Sequence, residues 1–326
     1  MSRYLTVNRL EFIITCLCNS NCRHCQTGGD ERRKKLPNHI DKDLAVEVVR
    51  KVGERYKPKS IMTFGGEPML YPDVVYAIHS AAVREEIPAR QVITNGFWSG
   101  KRNETLQIAE NLSKAGINDV GISVDCFHEE FIPLERVREA AQALLKAGVQ
   151  HIEWNPCWVI SEDDNNAYNS RTKAILKKLQ DLPVEIGEGN VVRPGGRATA
   201  NLKEFLPKKT LMPEGKCGEM PYMEKLDSVK GICLEPDGRI AVCNEFYIGN
   251  ASEIDVIELL ERYDPYKIPE AKALVEDGIK GLLRWAMTKS VKPDPGGYYS
   301  ICDMCTSIRK HVAKSCSELK GPPYPH

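Results

Sequence analysis

The chain has 326 residues, and its 45 Lys and Arg are balanced by 45 Asp and Glu. A net charge of zero gives no general attraction to nucleic acid or to an anionic membrane, so we expect neither as a partner. No run approaches the about 18 apolar residues of a membrane span, and the opening MSRYLTVNRLEFIIT lacks the layout of a signal peptide. We therefore expect a cytoplasmic protein, in whose reducing surroundings the twelve cysteines serve metal binding or redox chemistry rather than disulfides.

Residues 10–192 alternate short β-rich runs with helical periodicity, which predicts βα units around a parallel sheet. Helices with one apolar stripe are expected after Asp41, a good N-cap, and after Pro72, and again over 104–115, 134–147 and 166–179. The six predicted strands are 10–15, 60–64, 90–94, 119–124, 151–160 and 184–192. The fold class is therefore α/β, and six units fit a partial (β/α)6 barrel better than a closed eightfold one.

The character of the sequence changes after Gly195. Pro and Lys accumulate over residues 203–216, the predicted strands shorten, and six of the twelve cysteines follow residue 210. We predict a domain boundary near residue 200, with the barrel in residues 1–200 and a small α+β, cysteine-rich domain in residues 201–326.

A dense group of thiols follows the first strand in the stretch CLCNSNCRHC. Its useful subset is Cys18, Cys22 and Cys25, spaced C-x3-C-x2-C. A structural zinc site is normally closed by four ligands, whereas a [4Fe-4S] cluster held by three cysteines leaves one iron open. His24 could supply a fourth zinc ligand only in an awkward geometry beside Cys25. Spacing alone favours iron-sulfur and leaves zinc open.

The second predicted strand ends in FGGEP, at the edge where βα folds place ligand sites. Alone, this motif is an ordinary strand-to-helix turn. Together with the cysteine loop one strand earlier, it resembles the radical S-adenosylmethionine (SAM) superfamily, over roughly residues 8–200. The resemblance extends to TNG at 94–96, SVD at 123–125 and GRA at 196–198.

The resemblance implies a [4Fe-4S] cluster on Cys18, Cys22 and Cys25, whose fourth iron is chelated by the amino and carboxylate groups of SAM. It places His24 where relatives carry an aromatic ring beside the adenine. The family's chemistry cleaves SAM to a 5'-deoxyadenosyl radical, which takes a hydrogen atom from an unactivated C-H bond. Further cofactor contacts are implied for Gly65, Gly66, Glu67 and Pro68 toward the ammonium group, and for Thr94, Asn95, Ser123 and Asp125.

A second group of cysteines lies in the C-terminal region. GICLEPDGRIAVCNE predicts a hairpin with Cys243 on its second arm, and CDMC follows at residues 302–305. Together they resemble the SPASM auxiliary-cluster domain or its shorter twitch version. The resemblance implies one second [4Fe-4S] cluster, with zinc as the alternative metal. The implied ligands are Cys217, Cys243, Cys302 and Cys305, and Cys233 and Cys316 are the alternatives for Cys217.

Members with such a domain mostly modify peptides or proteins, or oxidise small alcohols, with an external electron donor of the flavodoxin or ferredoxin type. Asn244 follows Cys243 where oxidising relatives often carry an acid, which argues against a dehydrogenase. SVDCFHEEF loosely resembles the radical SAM epimerases of ribosomally made peptides. We therefore favour a peptide α-carbon epimerase, and keep a peptide cross-linking enzyme (thioether or C-C bond) and a non-catalytic iron-sulfur or zinc-binding protein as alternatives.

Epimerisation requires a hydrogen atom delivered to the face opposite the one from which it was removed. A thiol outside both clusters suits this because its S-H bond is weak. If Ile232 and Leu234 face the core, Cys233 faces the other way and is the first candidate. Cys126, at the end of the fourth predicted strand, is the second.

Overall fold

The computed structural model describes residues 2–26, 35–219, 223–243 and 246–315. Within these ranges, nine strands form one sheet in the order β11-β10-β9-β1-β2-β3-β4-β5-β7, and β6 pairs with β8 separately. The strands are β1 (Leu5–Thr15), β2 (Ser60–Gly65), β3 (Ala89–Thr94), β4 (Asp119–Ser123), β5 (His151–Asn155), β6 (Cys157–Trp158), β7 (Glu185–Ile186), β8 (Asn190–Val191), β9 (Val229–Leu234), β10 (Arg239–Cys243) and β11 (Phe246–Asn250).

Helices follow the strands as the apolar periodicity predicts, and the first five agree closely with the predicted bounds. Asp41 caps the first helix by accepting a hydrogen bond from the backbone N-H of Leu44. Gly148 ends the fourth with a left-handed φ of 78°. The helices are α1 (Lys42–Tyr56), α2 (Pro72–Arg84), α3 (Arg102–Lys114), α4 (Leu134–Ala147), α5 (Ala167–Lys177), α6 (Gly196–Asn201), α7 (Val256–Glu261), α8 (Pro269–Met287) and α9 (Ile301–Ser315).

The strands from β1 to β5 run parallel and alternate with helices, so the predicted α/β partial barrel is confirmed. Two predicted strands are shorter than expected. Pro156, which has no N-H to donate to a ladder, separates β5 from the two-residue β6. The predicted strand 184–192 consists of β7, which extends the main sheet, and β8, which pairs with β6.

The sheet has a buried face and a second face that we call the inner face. In β1, Leu10, Phe12 and Ile14 are fully buried, while the alternate side chains of Arg9 and Glu11 are partly exposed. Partners in register across a sheet point to the same side. The inner face therefore carries three levels of side chains, which follow one another toward the C-terminal ends of the strands. The first level is Glu11, Met62, Gln91 and Asp119. The second is Ile13, Phe64, Ile93, Gly121 and Glu153, and the third is Ser123 and Asn155.

The predicted hairpin is present as β9 and β10, joined by a turn at residues 235–238. It does not form a sheet of its own, because β9 pairs in parallel with β1 and extends the barrel sheet. The domain boundary near residue 200 stays a prediction, since the sheet continues across it. No helix among the described residues is long and apolar enough to cross a membrane.

Candidate active site

A pocket of about 500 Å³ lies at the C-terminal ends of the parallel strands, within the size range of small-molecule sites. Phe64, Ile93, Ser123 and Asn155 from the inner face form part of its wall. The loop after β1 supplies Cys18, Cys22, His24 and Cys25 to the same wall. The three predicted cluster cysteines thus line the same pocket as the strand ends.

The cysteine loop packs directly on the Gly-Gly turn after β2. Gly66 N-H donates to the carbonyl of Thr15 at 2.7 Å, and Glu67 N-H donates to that of Leu17 at 2.8 Å. A Cβ on Gly66 would lie 1.9 Å from the Leu17 carbonyl oxygen. Both Gly65 and Gly66 line the pocket, so the glycines serve this close approach of two backbones. Pro68 opens a short 3-10 turn, Pro68–Leu70, that leads into α2.

Glu67 makes its contacts within the protein. Its carboxylate is 1% exposed and accepts hydrogen bonds from Met69 N-H at 3.0 Å, the Thr94 hydroxyl at 2.7 Å and Asn95 N-H at 2.8 Å. Burial raises the pKa of Glu67 to about 7. The side chain therefore ties the loop after β2 to the loop after β3. Its position gives no support to the charge contact with SAM that the resemblance implies.

Asp125 is likewise saturated by internal partners. The carboxylate accepts from Phe127 N-H and His128 N-H at 2.9 Å each, from Cys157 N-H at 3.1 Å, and contacts His128 Nδ1 at 2.9 Å. Burial opposes ionisation, but the charge and hydrogen bond of His128 outweigh it and lower the pKa of Asp125 to about 2. Asp125 lines the pocket, yet its four contacts leave the predicted role toward the ribose or carboxylate of SAM without support.

His128 also lines the pocket, and the sequence motifs did not predict it as a site residue. Burial alone would lower its pKa, but the Asp125 carboxylate raises that pKa well above the usual value. Ligand atoms of Cys22, His24 and His128 lie within 4.8 Å of one another. His128 could have been predicted from the Asp-x-x-His spacing in SVDCFH, because this spacing lets the carboxylate contact both the ring and the backbone of the histidine.

His24 lies among aromatic rings at the pocket wall, with centroids 4.8 Å from Phe127 and 5.0 Å from His128. Its buried Nδ1 has no hydrogen-bond partner among the residues that the structure describes, and burial lowers the pKa of His24 to about 4. An uncharged ring at this place is compatible with the implied position beside an adenine. The pocket is also lined by Cys157, Arg193 and Arg197, to which the sequence analysis assigned no role.

The four predicted auxiliary ligands come from distant segments and influence one another electrostatically. Burial, followed by the charges of Cys243, Cys305 and Cys302, raises the pKa of Cys217 to about 12. The same causes raise the pKa of Cys302 to about 12. Cys302 and Cys305 lie in the first turns of α9, which puts both on one face of the helix. Cys316, the alternative ligand, lies outside the described residues.

Cys233 has the orientation that strand alternation predicts. Ile232 is 2% and Leu234 1% exposed, whereas Cys233 is partly exposed. Its partner in register on β1 is Glu11, so its side chain belongs to the inner face. Cys126 is 2% exposed, and neither it nor Cys233 lines the pocket. Of the two candidate thiols, Cys233 alone faces the interior of the barrel.

The donor set at the pocket fits a cluster with one open coordination site. Three sulfurs come from a single loop, and the Gly-Gly turn leaves room for a ligand beside them. Parallel strands that end around such a pocket define an α/β barrel enzyme with a cysteine-bound metal centre.

The model of the radical SAM superfamily matches residues 12–192. The chain therefore belongs to the radical SAM superfamily.

Curated relatives include a GTP 3',8-cyclase of Listeria monocytogenes, 25% identical over 290 residues, which cover 86% of this chain and 80% of that protein. Another GTP 3',8-cyclase, of Nostoc sp., is 30% identical over 203 residues, covering 56% and 60% of the two chains. The structure of anSMEcpe with bound AdoMet has a TM-score of 0.54 at 15% identity, covering 95% of this chain and 96% of that one. SuiB from Streptococcus suis, bound to S-adenosylmethionine, also has a TM-score of 0.54, at 14% identity, with 91% and 75% covered. At these identities the two structures establish the fold alone.

Proposed function

We propose that the protein is a radical SAM epimerase that inverts an α-carbon in a peptide, with Cys233 as the hydrogen donor. When bound, the cluster on Cys18, Cys22 and Cys25 together with SAM supplies a 5'-deoxyadenosyl radical that removes a hydrogen atom from the substrate. We further propose a second [4Fe-4S] cluster on Cys217, Cys243, Cys302 and Cys305, and an external electron donor of the flavodoxin or ferredoxin type.

The observation that carries this proposal is the position of Cys233. Its partner Glu11 precedes Ile13 by two residues, and Ile13 is in register with Phe64 in the pocket wall. At roughly 3.3 Å per residue, the thiol lies about 7 Å from that wall, toward the N-terminal ends of the strands. A substrate held between them would face the pocket on one side and the thiol on the other, as inversion requires.

The hydrogen balance of this step is simple. The substrate radical takes the hydrogen atom from the Cys233 S-H bond, which forms the inverted C-H bond and leaves a thiyl radical on Cys233. One electron from the external donor and one proton then restore the thiol. Cys243 lies two residues beyond Ala241, the partner of Cys233 on β10, so a cluster held there would be a short route for that electron.

A second candidate is a nucleotide cyclase, because the relatives named GTP 3',8-cyclase align with most of the chain. The charges of the inner face favour the peptide instead. Glu11 is paired with Arg9 at 2.6 Å and Asp119 with His151 at 3.0 Å, and Glu153 adds a carboxylate whose pKa is raised by burial and by the charge of Asp119. A triphosphate held beside Cys233 would meet these carboxylates, whereas the cationic lining residues of the pocket, Arg193 and Arg197, come from the loop after β8 and from α6.

The test uses the reconstituted, reduced protein in heavy water with short peptides encoded beside its gene. Wild type should form 5'-deoxyadenosine and a product with one deuterium at an inverted α-carbon. Cys233→Ala should keep its iron and still form 5'-deoxyadenosine but yield little inverted product, whereas Cys126→Ala should behave as wild type. Inversion at the wild-type rate by Cys233→Ala would remove this thiol from the mechanism.

The alternatives give different products in the same assay. A peptide lighter by two hydrogens would indicate cross-linking. Conversion of GTP in a parallel incubation would indicate the cyclase. The absence of 5'-deoxyadenosine under all conditions would indicate a non-catalytic iron-sulfur or zinc-binding protein.

A further inference from the structure

Asn95, in the TNG motif, is 4% exposed and contacts the cysteine loop rather than only the pocket. Its side-chain Nδ2 donates to Asn19 Oδ1 at 2.7 Å and lies 3.9 Å from Cys18 Sγ, at the long end of contacts to sulfur. Asn19 is the residue directly after Cys18, so both contacts reach the segment that carries the first predicted cluster ligand.

The orientation of the Asn95 amide follows from its other contact. Its Oδ1 accepts a hydrogen bond from Phe97 N-H at 2.9 Å, a group that can only donate. The oxygen must therefore face Phe97, and the two N-H bonds of Nδ2 must face the cysteine loop. One N-H donates to Asn19 Oδ1, and the other points toward Cys18 Sγ.

The backbone and neighbours of Asn95 hold this arrangement in place. Its N-H donates to the buried Glu67 carboxylate at 2.8 Å, which fixes the start of the loop after β3. Asn19 returns a contact by donating from Nδ2 to the carbonyl of Phe97 at 2.9 Å. The two asparagines thus join the cysteine loop and the loop after β3 by reciprocal hydrogen bonds.

We propose that Asn95 is a positioning residue that donates an N-H···S hydrogen bond to the Cys18 ligand and raises the reduction potential of the cluster. A donor near a ligand sulfur draws electron density from it and so favours the reduced cluster, and such partners also fix the orientation of the ligand. The amide carries no titrating proton, so the effect is independent of pH. The inference rests on Cys18 as a cluster ligand and does not depend on the substrate.

The experiment is an EPR-monitored redox titration of the reconstituted protein, following the cluster whose signal changes when SAM is added. Asn95→Leu, similar in size but without a donor, should shift the potential of that cluster to a lower value. Asn19→Ala is the matched control, because it breaks the bridge between the loops but leaves the Asn95 donor, and it should leave the potential where it is in wild type. Equal shifts in the two variants, or no shift in Asn95→Leu, would overturn the proposal.

A second measurement keeps the proposal testable if Asn95→Leu does not hold its cluster. The Asn19→Ala protein is labelled with 15N in the asparagine side-chain amides, and pulsed EPR of the reduced cluster should detect a weak 15N coupling from Nδ2 of Asn95. The absence of that coupling would show that the amide does not contact the ligand sulfur. Loss of 5'-deoxyadenosine with an unchanged potential would also count against it, while the epimerase proposal would stand or fall separately on the peptide product.

Discussion

Replacing Asp125 with Asn should destabilise the fold well beyond the loss of one charge. The carboxylate accepts four contacts, two at each oxygen, and an amide keeps only one oxygen. If the amide nitrogen replaces Oδ1, it faces the buried N-H groups of Phe127 and His128; if it replaces Oδ2, it faces the Cys157 N-H and His128 Nδ1, which can accept only as the neutral ring. At about 1–3 kcal/mol for each buried donor left without a partner, one or two such donors should lower the free energy of unfolding by about 1–6 kcal/mol.

The pKa of Asp125 gives an independent estimate. A shift from 3.8 in the unfolded chain to about 2 in the fold corresponds to on the order of 2 kcal/mol. Because the folded pKa is the lower one, this stabilisation is present above pH 3.8 and is lost as the pH falls through about 2. The difference in the free energy of unfolding between wild type and Asp125→Asn should therefore be largest near neutral pH and smaller in acid.

The assay is urea unfolding of both proteins, purified without reconstitution and followed by circular dichroism. Asp119→Asn is a matched control, since Asp119 also faces a histidine, at 3.0 Å, but its side chain is 26% exposed against 0% for Asp125. Asp119→Asn should lower the free energy of unfolding by less than about 1 kcal/mol, the usual contribution of an exposed ion pair. A loss of less than 1 kcal/mol in Asp125→Asn, or equal losses in the two variants, would refute the reasoning from saturated donors.

Three further predictions concern the glycine turn and the ligands of the two clusters. Gly66→Ala should lower the free energy of unfolding by at least about 3 kcal/mol, because the new Cβ would lie 1.9 Å from a backbone oxygen that cannot rotate away. The same change should reduce the iron content of the first cluster. Gly148→Ala, at a positive φ of 78° but with nothing within 4 Å of the new Cβ, should lower the free energy of unfolding by only about 1 kcal/mol, and equal losses would contradict the clash. Joint replacement of Cys18, Cys22 and Cys25 by Ala should halve the iron and abolish SAM cleavage, so an unchanged iron content would end that ligand assignment. Cys217→Ala should lower the iron of the other cluster, whereas full iron in that variant together with loss in Cys233→Ala would identify Cys233 as the fourth ligand.

Local features of this chain could be predicted from the sequence because they depend on residues that are close together in it. Helices α1 to α5 begin and end near the predicted residues, since apolar spacing, the Asp41 cap and the Gly148 terminus act within a few residues. The cysteine loop could be recognised for the same reason, because one short segment supplies all three thiols. The predicted strand 151–160 was too long because β propensity does not reveal where a proline ends the ladder.

Only the tertiary structure decided which groups meet across the sheet. Cys233 lies on the inner face because β9 pairs with β1 in a register that sets it beside Glu11, and register is fixed by packing between distant segments rather than by local preference. The contacts of Glu67 and Asp125 were likewise decided by packing between distant segments. Both acids stand where the motifs suggest a ligand, but burial makes an unpaired carboxylate costly, so each is satisfied by donors from neighbouring loops. Sequence determined which chemical groups are present at the strand ends, and the long-range packing determined which of them remain directed toward the pocket.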